Sequence, residues 1–224
     1  IHTQPIPLLG GWAIYLSVSL MTIWLVLGGR VNDAKVSQTW VMSFLLAGLL
    51  LMIGGYLDDR FRLRWYQSLV FPIAAALIVM AGGLQIHFIT NPFGGLLYFD
   101  QWHWSGVLQT RYLVPLADIL VFFWLLAMMY TTKLLDGLDG LASSISLIAS
   151  VVIFGVSLFW DAPGSLTSYV SIILAGAIAG FLIWNWYPAK IFLGESGSTF
   201  LGFSLGVLAI LTGGKIATAL LVMG

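Results

Sequence analysis

The sequence predicts an all-α polytopic membrane protein: a multi-helix transmembrane bundle with a small hairpin in one extracytoplasmic loop. Of the 224 residues, 60% are hydrophobic and only 8% are charged, and the mean hydropathy is +1.00. A soluble domain of this size could not cover its surface with so few polar groups. Ten tryptophans and eight tyrosines are typical of chains that place aromatic side chains at both membrane interfaces.

Composition also excludes several classes of protein. Cysteine is absent, which excludes a disulfide framework and a thiolate metal site. The formal net charge is zero, and this argues against an electrostatic nucleic-acid partner. We therefore expect membrane lipid, and no nucleic acid, among the partners of the chain.

Seven apolar runs predict transmembrane helices, since about 20 apolar residues span a bilayer as a helix. A further run begins at Lys215 and covers about half of that length by Gly224. We expect residues 1–224 to form a single transmembrane domain, truncated at both ends, with about seven complete crossings and part of an eighth. The complete crossings are predicted at about 11–28, 40–57, 67–83, 113–129, 143–160, 169–186 and from about 199 onward.

The longest predicted loop, residues 84–112, contains the hairpin. Residues 90–95 (Thr-Asn-Pro-Phe-Gly-Gly) are typical of a turn. Alternating residues lie on both sides of it, at 85–88 and at 96–99, and this pattern predicts two short paired strands.

Acidic side chains are concentrated in the loops that precede crossings three, five and seven. Two consecutive crossings return a chain to the same membrane face, so these loops and the N-terminal Pro/Gly segment share one face. The loops on the opposite face carry no acid pair. This segregation indicates a single site, to which five of the nine acids of the chain belong: Asp58, Asp59, Asp136, Asp139 and Glu195.

Basic residues predict which face this is. Cytoplasmic loops carry an excess of lysine and arginine, and the acidic face has slightly more of them than the opposite face. The prediction is therefore an active site on the cytoplasmic side of the cell (inner) membrane. The basic residues of the acidic face are Arg60, Arg62, Arg64, Lys133 and Lys190, against Arg30, Lys35, Arg111 and Lys215 opposite.

The residue types on this face point to phosphoryl transfer. Mg²⁺ is commonly held by one or two carboxylates together with substrate phosphates, and lysine and arginine bind phosphate oxygens. Residues 194–198 (Gly-Glu-Ser-Gly-Ser) precede an apolar run, and the free N–H groups of a helix start can bind an anion. Carboxylates, cations and an anion cradle at a membrane face together indicate a reaction in which one substrate lies in the lipid.

Each motif also has a structural interpretation. Residues 58–60 (Asp-Asp-Arg) could form a solvated helix end, and glycine and serine near a membrane helix are often a packing surface. Asp118 lies inside the fourth predicted crossing, where acids are costly and often functional, but it is nearer the opposite face. We leave it out of the predicted site.

Taken together, the motifs resemble those of the polyprenyl-phosphate N-acetylhexosamine-1-phosphate transferases. They occur in the family order, cover nearly the whole chain, and look more similar to the UDP-GlcNAc-using branch than to the muropeptide branch. The matching motifs are His2 with residues 5–7 (Pro-Ile-Pro) and 10–11 (Gly-Gly), 58–61 (Asp-Asp-Arg-Phe), 91–95 (Asn-Pro-Phe-Gly-Gly), 136–141 (Asp-Gly-Leu-Asp-Gly-Leu), and 185–198, which begins at Asn185 and ends in Gly-Glu-Ser-Gly-Ser.

The resemblance implies that residues 1–224 are a transmembrane catalytic domain. The family moves a sugar-1-phosphate, here expected to be GlcNAc-1-phosphate, from a UDP-sugar to undecaprenyl phosphate or a related polyprenyl phosphate. UMP is released, and the reaction begins the synthesis of cell-wall or surface polysaccharides. The implied cofactor is Mg²⁺, with Mn²⁺ as the alternative. Whether the protein forms a homodimer stays open.

The resemblance also implies a role for each of the five acids. Asp58 is the candidate base that keeps the lipid phosphate deprotonated, and Asp59 orients that phosphate or the metal. Asp136 and Asp139 hold the nucleotide and the water shell of the metal, and Asp136 is also a candidate ligand. Glu195 stands where the family has its metal-binding aspartate. Four further positions match substrate-binding positions: Asn185 and Phe192 at the uridine pocket, Ser198 and His2.

Three departures from the family pattern concern the metal site. The family usually has asparagine three and six residues before Asp136, where this chain has Lys133 and Tyr130, and aspartate where it has Glu195. An ammonium group cannot ligate a cation, but Lys133 can pair with Glu195 or contact a phosphate, so we include it among the substrate-binding residues. The metal site is therefore either rebuilt or lost.

Two other functions stay open from the sequence. A catalytically silent homologue would bind lipid-linked sugar precursors without transferring them. A membrane transporter would use its acids to line a cation or proton path. Such a path needs acids at mid-membrane on several helices, and only Asp118 lies within a predicted span.

Overall fold

The structure, a computed structural model, describes residues 7–29, 38–84, 88–90, 96–98, 104–105, 112–113, 115–160 and 164–212. These ranges contain seven α-helices and four short strands. The helices are α1 (Gly10–Leu27), α2 (Gln38–Phe61), α3 (Trp65–Ala81), α4 (Pro115–Leu135), α5 (Leu141–Trp160), α6 (Leu166–Asn185) and α7 (Gly194–Leu211). The strands are β1 (Phe88–Thr90), β2 (Leu96–Tyr98), β3 (Trp104–Ser105) and β4 (Tyr112–Leu113).

The predicted fold class is confirmed. Among the described residues, every helix except α3 is long and apolar enough to cross a membrane, with mean hydropathies from 1.3 to 2.2. Helix α3 has 17 residues and packs against α2 and α4. Since about 17 residues is the lower limit for a crossing, α3 is the shortest span of the bundle. The protein is a multi-pass membrane protein.

Helix α7 forms the centre of the bundle. Its most apolar stretch is 89% buried and has the lowest mean hydropathy of the six long spans, 1.3. It contacts α1, α2, α4, α5 and α6. Small residues make these contacts close: a Cβ atom built on Gly202 would lie 2.4 Å from the carbonyl oxygen of Met128, and one on Gly11 2.4 Å from the Cα atom of Gly197. Close backbone approach at glycine is a common way for membrane helices to associate.

The predicted hairpin is present in the long loop. Strands β1 and β2 pair in antiparallel register, with Phe88 opposite Tyr98 and Thr90 opposite Leu96. A second antiparallel pair, β3 with β4, was not predicted. Residues 91–95, which carry the predicted turn and one family motif, lie outside the described residues.

The ends of three helices differ from the prediction. Helix α2 continues through Asp58 and Asp59, α4 continues through Lys133, and α7 already includes Glu195. Apolar runs mark only the length of a helix that lipid can surround, whereas the hydrogen bonds of the helix continue for as long as the backbone dihedrals allow. Asp58, Asp59, Lys133 and Glu195 therefore lie on helix ends instead of in the predicted loops.

Candidate active site

A cavity of about 740 Å³ opens at the end of the bundle where α2 and α4 finish and α7 begins. Eight of the ten predicted site residues line it. Asp58 lines a smaller neighbouring cavity, and His2 lies outside the described residues. The eight are Asp59, Lys133, Asp136, Asp139, Asn185, Phe192, Glu195 and Ser198.

Asp58 is held by contacts from two other segments. One carboxylate oxygen accepts a hydrogen bond from the backbone N–H of Leu63 at 3.0 Å, and the other accepts one from the hydroxyl of Ser68 at 2.6 Å. The second oxygen is also 3.9 Å from the ammonium nitrogen of Lys133. Ser68 was not predicted to belong to the site, although it stands at about the position where the family often has a basic residue; the turn between α2 and α3 brings it back to Asp58.

Asp59 joins α2 to the start of α7. Its two carboxylate oxygens lie 3.3 and 3.2 Å from the backbone N–H of Glu195, which donates to both. A carboxylate at this place satisfies a free N–H group of the helix end and interacts favourably with the helix dipole. The family resemblance assigned Asp59 to the phosphate or the metal, and the structure adds this capping contact.

Gly194 makes the contact between Asp59 and α7 geometrically feasible. Its φ is +77°, which glycine adopts far more readily than other residues. A Cβ atom at this position would lie 2.9 Å from a carboxylate oxygen of Asp59 and 2.8 Å from the carbonyl oxygen of Leu8. Both distances are too short for a side chain, so a larger residue would separate Asp59 from α7.

Lys133 brings a positive charge among the acids. Its ammonium group contacts the carboxylate of Glu195 and lies 3.9 Å from Asp58. It is also 5.8 Å from the ring centre of Tyr130, within the range of a cation–π interaction. Of the two predicted roles for Lys133, the described contacts show the pairing with Glu195.

The central motif places two carboxyl groups in the cavity. Burial, together with the nearby charge of Asp59, raises the pKa of Asp136 to about 7. Asp139 accepts a hydrogen bond from the backbone N–H of Ala189 at 3.0 Å and so joins the central motif to the segment after α6. A carboxyl group with a raised pKa is costly to ionise unless a cation lies beside it.

The carboxylates fit a cation whose shell is completed by substrate. No cluster of three acidic or histidine side chains that could hold a metal ion by itself occurs in the described ranges. Mg²⁺, however, is usually bound through one or two carboxylates, water and substrate phosphates. Asp136 is partly buried and close enough to Asp59 for their charges to interact, so these two carboxyl groups could serve as such a pair.

Asn185 connects several of the segments that surround the cavity. Its side-chain oxygen accepts a hydrogen bond from the hydroxyl of Ser143 at 2.8 Å, and its side-chain nitrogen donates one to the carbonyl oxygen of Ile191 at 3.0 Å. The residue is 3% exposed. Its amide thus connects α5, α6 and the segment that leads to Phe192, in addition to lining the cavity.

The segment before α1 forms part of the same wall. The backbone N–H of Phe192 donates to Pro7, and the N–H groups of Gly10 and Gly11 donate to Phe192 and Leu193, at 3.0 to 3.1 Å. This pairing brings Leu8 to the rim of the cavity. Leu8 was not predicted as a site residue, since a long-range backbone pairing leaves no periodic signal in the sequence.

Asp118 lies away from the cavity. It is in the first turn of α4, whereas Lys133 is in the last turn of the same helix. This placement agrees with the prediction that Asp118 is not part of the site.

Comparison with known proteins identifies the family. The family model for glycosyl transferase family 4 matches residues 41–213. A decaprenyl-phosphate N-acetylglucosaminephosphotransferase of Mycolicibacterium smegmatis is 32% identical over 97% of the chain, and the protein of the same name in Mycobacterium tuberculosis is 30% identical over 97%. A phospho-N-acetylmuramoyl-pentapeptide-transferase of Anoxybacillus flavithermus is 30% identical over 97% of the chain.

These relatives are longer than the chain. It spans 52% of the length of the two mycobacterial proteins and 64% of the length of the Anoxybacillus protein. Of the six long spans, the family match leaves out only the first. It also includes the acid pair, the central motif and the start of α7. The resemblance of the motifs is thus confirmed, and the chain belongs to glycosyl transferase family 4.

Proposed function

We propose that the chain carries the active site of a transferase that moves GlcNAc-1-phosphate from a UDP-sugar to undecaprenyl phosphate and releases UMP. The observation that carries this proposal is the cavity at one end of the bundle, in which four acids from three segments of the chain meet a lysine. The printed names of the mycobacterial relatives describe N-acetylglucosamine phosphotransfer to a polyprenyl phosphate. The reaction would be the first membrane step of cell-wall or surface-polysaccharide synthesis.

In the proposed reaction, an oxygen of the lipid phosphate attacks the phosphorus atom that bears the sugar. A P–O bond forms to the lipid phosphate, the P–O bond to UMP breaks, and UMP leaves with the bonding electrons. Asp58 is the base that keeps the attacking phosphate deprotonated. Its contacts with Ser68 and Leu63 keep its carboxylate in one orientation at the membrane end of the site.

The donor would occupy the larger cavity. Asn185 and Phe192 line the part of it that we assign to uridine, and Ser198 also lines the cavity. Asp136, together with Asp59, would hold the Mg²⁺ ion, or Mn²⁺, that the family resemblance implies. When bound, the cation supplies compensation for the charge of the donor's two phosphates.

The transfer assay uses membranes that contain the full-length protein, labelled UDP-GlcNAc and undecaprenyl phosphate. We expect a labelled lipid product and a matching amount of UMP. Absence of labelled lipid, with folded protein demonstrated in the same membranes, would refute the transferase.

A catalytically silent binding protein is the second candidate. The observation that favours it is the contact between Lys133 and Glu195, since this pair engages a predicted metal ligand. Retention of lipid-linked sugar by protein that yields no product would support this role. The transporter is disfavoured, because the described acids other than Asp118 are gathered at one end of the helices.

We further propose that the cavity faces the cytoplasm of a bacterial cell across its inner membrane. The chain contains no cysteine, so single cysteines can be introduced and labelled with an impermeant reagent. We expect Arg62→Cys and Lys190→Cys to react only after lysis, and Lys35→Cys, His103→Cys and Pro163→Cys to react in intact cells. Labelling of Arg62→Cys before lysis would overturn this orientation. The homodimer stays a prediction.

A further inference from the structure

Lys133 lies in the wall that separates the two cavities of the site. The larger cavity is lined by Lys133 and Glu195, and so is the smaller one, which also contains Asp58 and Ser68. The side chain of Lys133 is 27% exposed, and those of Asp58 and Glu195 are 12% and 29% exposed. The ammonium group is thus part of this wall, where solvent screening is weaker than at an open surface.

The ammonium group occupies the place at which a metal ion would have to bind Glu195. It contacts one of the two carboxylate oxygens of Glu195, Oε1, directly. A divalent cation on the same carboxylate would come within a few ångströms of a like charge, and in a partly buried site such repulsion is strong. An ammonium group offers only hydrogen-bond donors, so it cannot join the coordination shell.

Lys133 also supplies a positive charge beside the two acids Asp58 and Glu195. Asp58 and Glu195 are on different helices, and their side chains are hydrogen-bonded to each other. A nearby positive charge favours the charged form of such a carboxyl pair, and Lys133 is 3.9 Å from Asp58 and in contact with Glu195. Lys133 therefore joins α2, α4 and α7 at the mouth of the bundle.

We propose that the ammonium group of Lys133 supplies the positive charge beside Asp58 and Glu195. Glu195 is consequently not a metal ligand in this chain. Any divalent cation is held by other groups. The last part rests on the proposed function, whereas the first two concern the protein alone. Glu195 becomes a positioning residue: it holds Lys133 beside Asp58. This departs from the sequence prediction of Glu195 as a ligand.

The test measures Mn²⁺ binding to the purified full-length protein without substrate, by the electron paramagnetic resonance signal of free Mn²⁺. Glu195→Gln should leave the Mn²⁺ affinity within about twofold of wild type, whereas loss of a group that supports a metal typically costs about 10–100-fold. Lys133→Asn should bind Mn²⁺ at least about tenfold more tightly, or bind an additional ion, because Glu195 is then free. The double variant Lys133→Asn/Glu195→Gln should lose that gain.

Two results would overturn the proposal. One is a loss of about tenfold or more in Mn²⁺ affinity on Glu195→Gln alone, and the other is an unchanged affinity in folded Lys133→Asn. If Lys133→Asn does not fold, Lys133→Gln replaces it, and the Glu195→Gln result decides independently. Asp118→Asn, at the other end of α4, is the matched control. Because no turnover is required, failure of the transfer assay and failure of this proposal are separate results.

Discussion

Replacing Asp58 with asparagine is expected to lower the rate of sugar-phosphate transfer by about 10²–10⁴-fold, the usual contribution of a general base. The amide cannot take a proton from the lipid phosphate. It keeps the shape of the carboxylate, and its oxygen can still accept the hydrogen bond from Leu63 or from Ser68. We therefore expect the protein to stay folded, with the loss in turnover and little change in the unfolding temperature.

The matched control is Asp118→Asn. It is the same chemical change in the first turn of α4, at the other end of the helix from Lys133, and we expect it to retain most of the activity. Equal losses in the two variants, with equal losses of folded protein, would show that both act through folding. Asp58 would then have no chemical role.

Gly55→Ala is expected to abolish transfer and to destabilise the bundle. A Cβ atom at Gly55 would lie 2.2 Å from the Cα atom and 2.3 Å from the backbone nitrogen of Ser196, so α2 and α7 must move apart. Asp58 and Asp59 follow on the next turn of α2, and Glu195 precedes Ser196. A separation of a few tenths of an ångström would weaken the hydrogen bonds between Asp59 and Glu195. Overpacking of this kind typically costs about 1–3 kcal/mol.

Gly180→Ala provides the control for this change. The substitution is the same, it lies in a membrane-spanning helix, and nothing lies within 4 Å of the Cβ position. Alanine is favoured over glycine within a helix by about 0.8–1.0 kcal/mol, so the control should keep its activity and its unfolding temperature. Transfer activity and thermal unfolding in detergent are measured for both variants. An active, stable Gly55→Ala protein would contradict the claim that close approach of α2 and α7 positions the acids.

The number of helices and their approximate positions along the chain could be predicted from the sequence because they follow from hydropathy alone. Apolar runs located the seven described helices, and the parity of crossings placed Asp58, Asp136 and Glu195 at one face. The structure brings these segments together at one end of the bundle. The ends of α2 and α4 and the start of α7 were misplaced, since hydropathy marks contact with lipid and not the extent of the backbone hydrogen bonds.

Contacts between distant segments could not be predicted in the same way. The sequence marked Lys133 as a departure and left its partner open, and only the packing of α4 against α7 brings its ammonium group to Glu195. The sequence contained no indication that Ser68 or Leu8 would face the site. Asn185 was assigned to the nucleotide by resemblance, whereas its bonds to Ser143 and Ile191 depend on where α5 and α6 meet.

Burial of α7 on all sides bears on how the protein is made. Membrane helices enter the bilayer individually and then associate. The ribosome synthesises α7 after the other six described helices, and its glycines and hydroxyl groups would make a poor surface for lipid. Helices α1, α2 and α4 are by then in the bilayer and can enclose it. Because Asp59 accepts the hydrogen bond from the N–H of Glu195 only at that step, the docking of α7 completes this wall of the cavity.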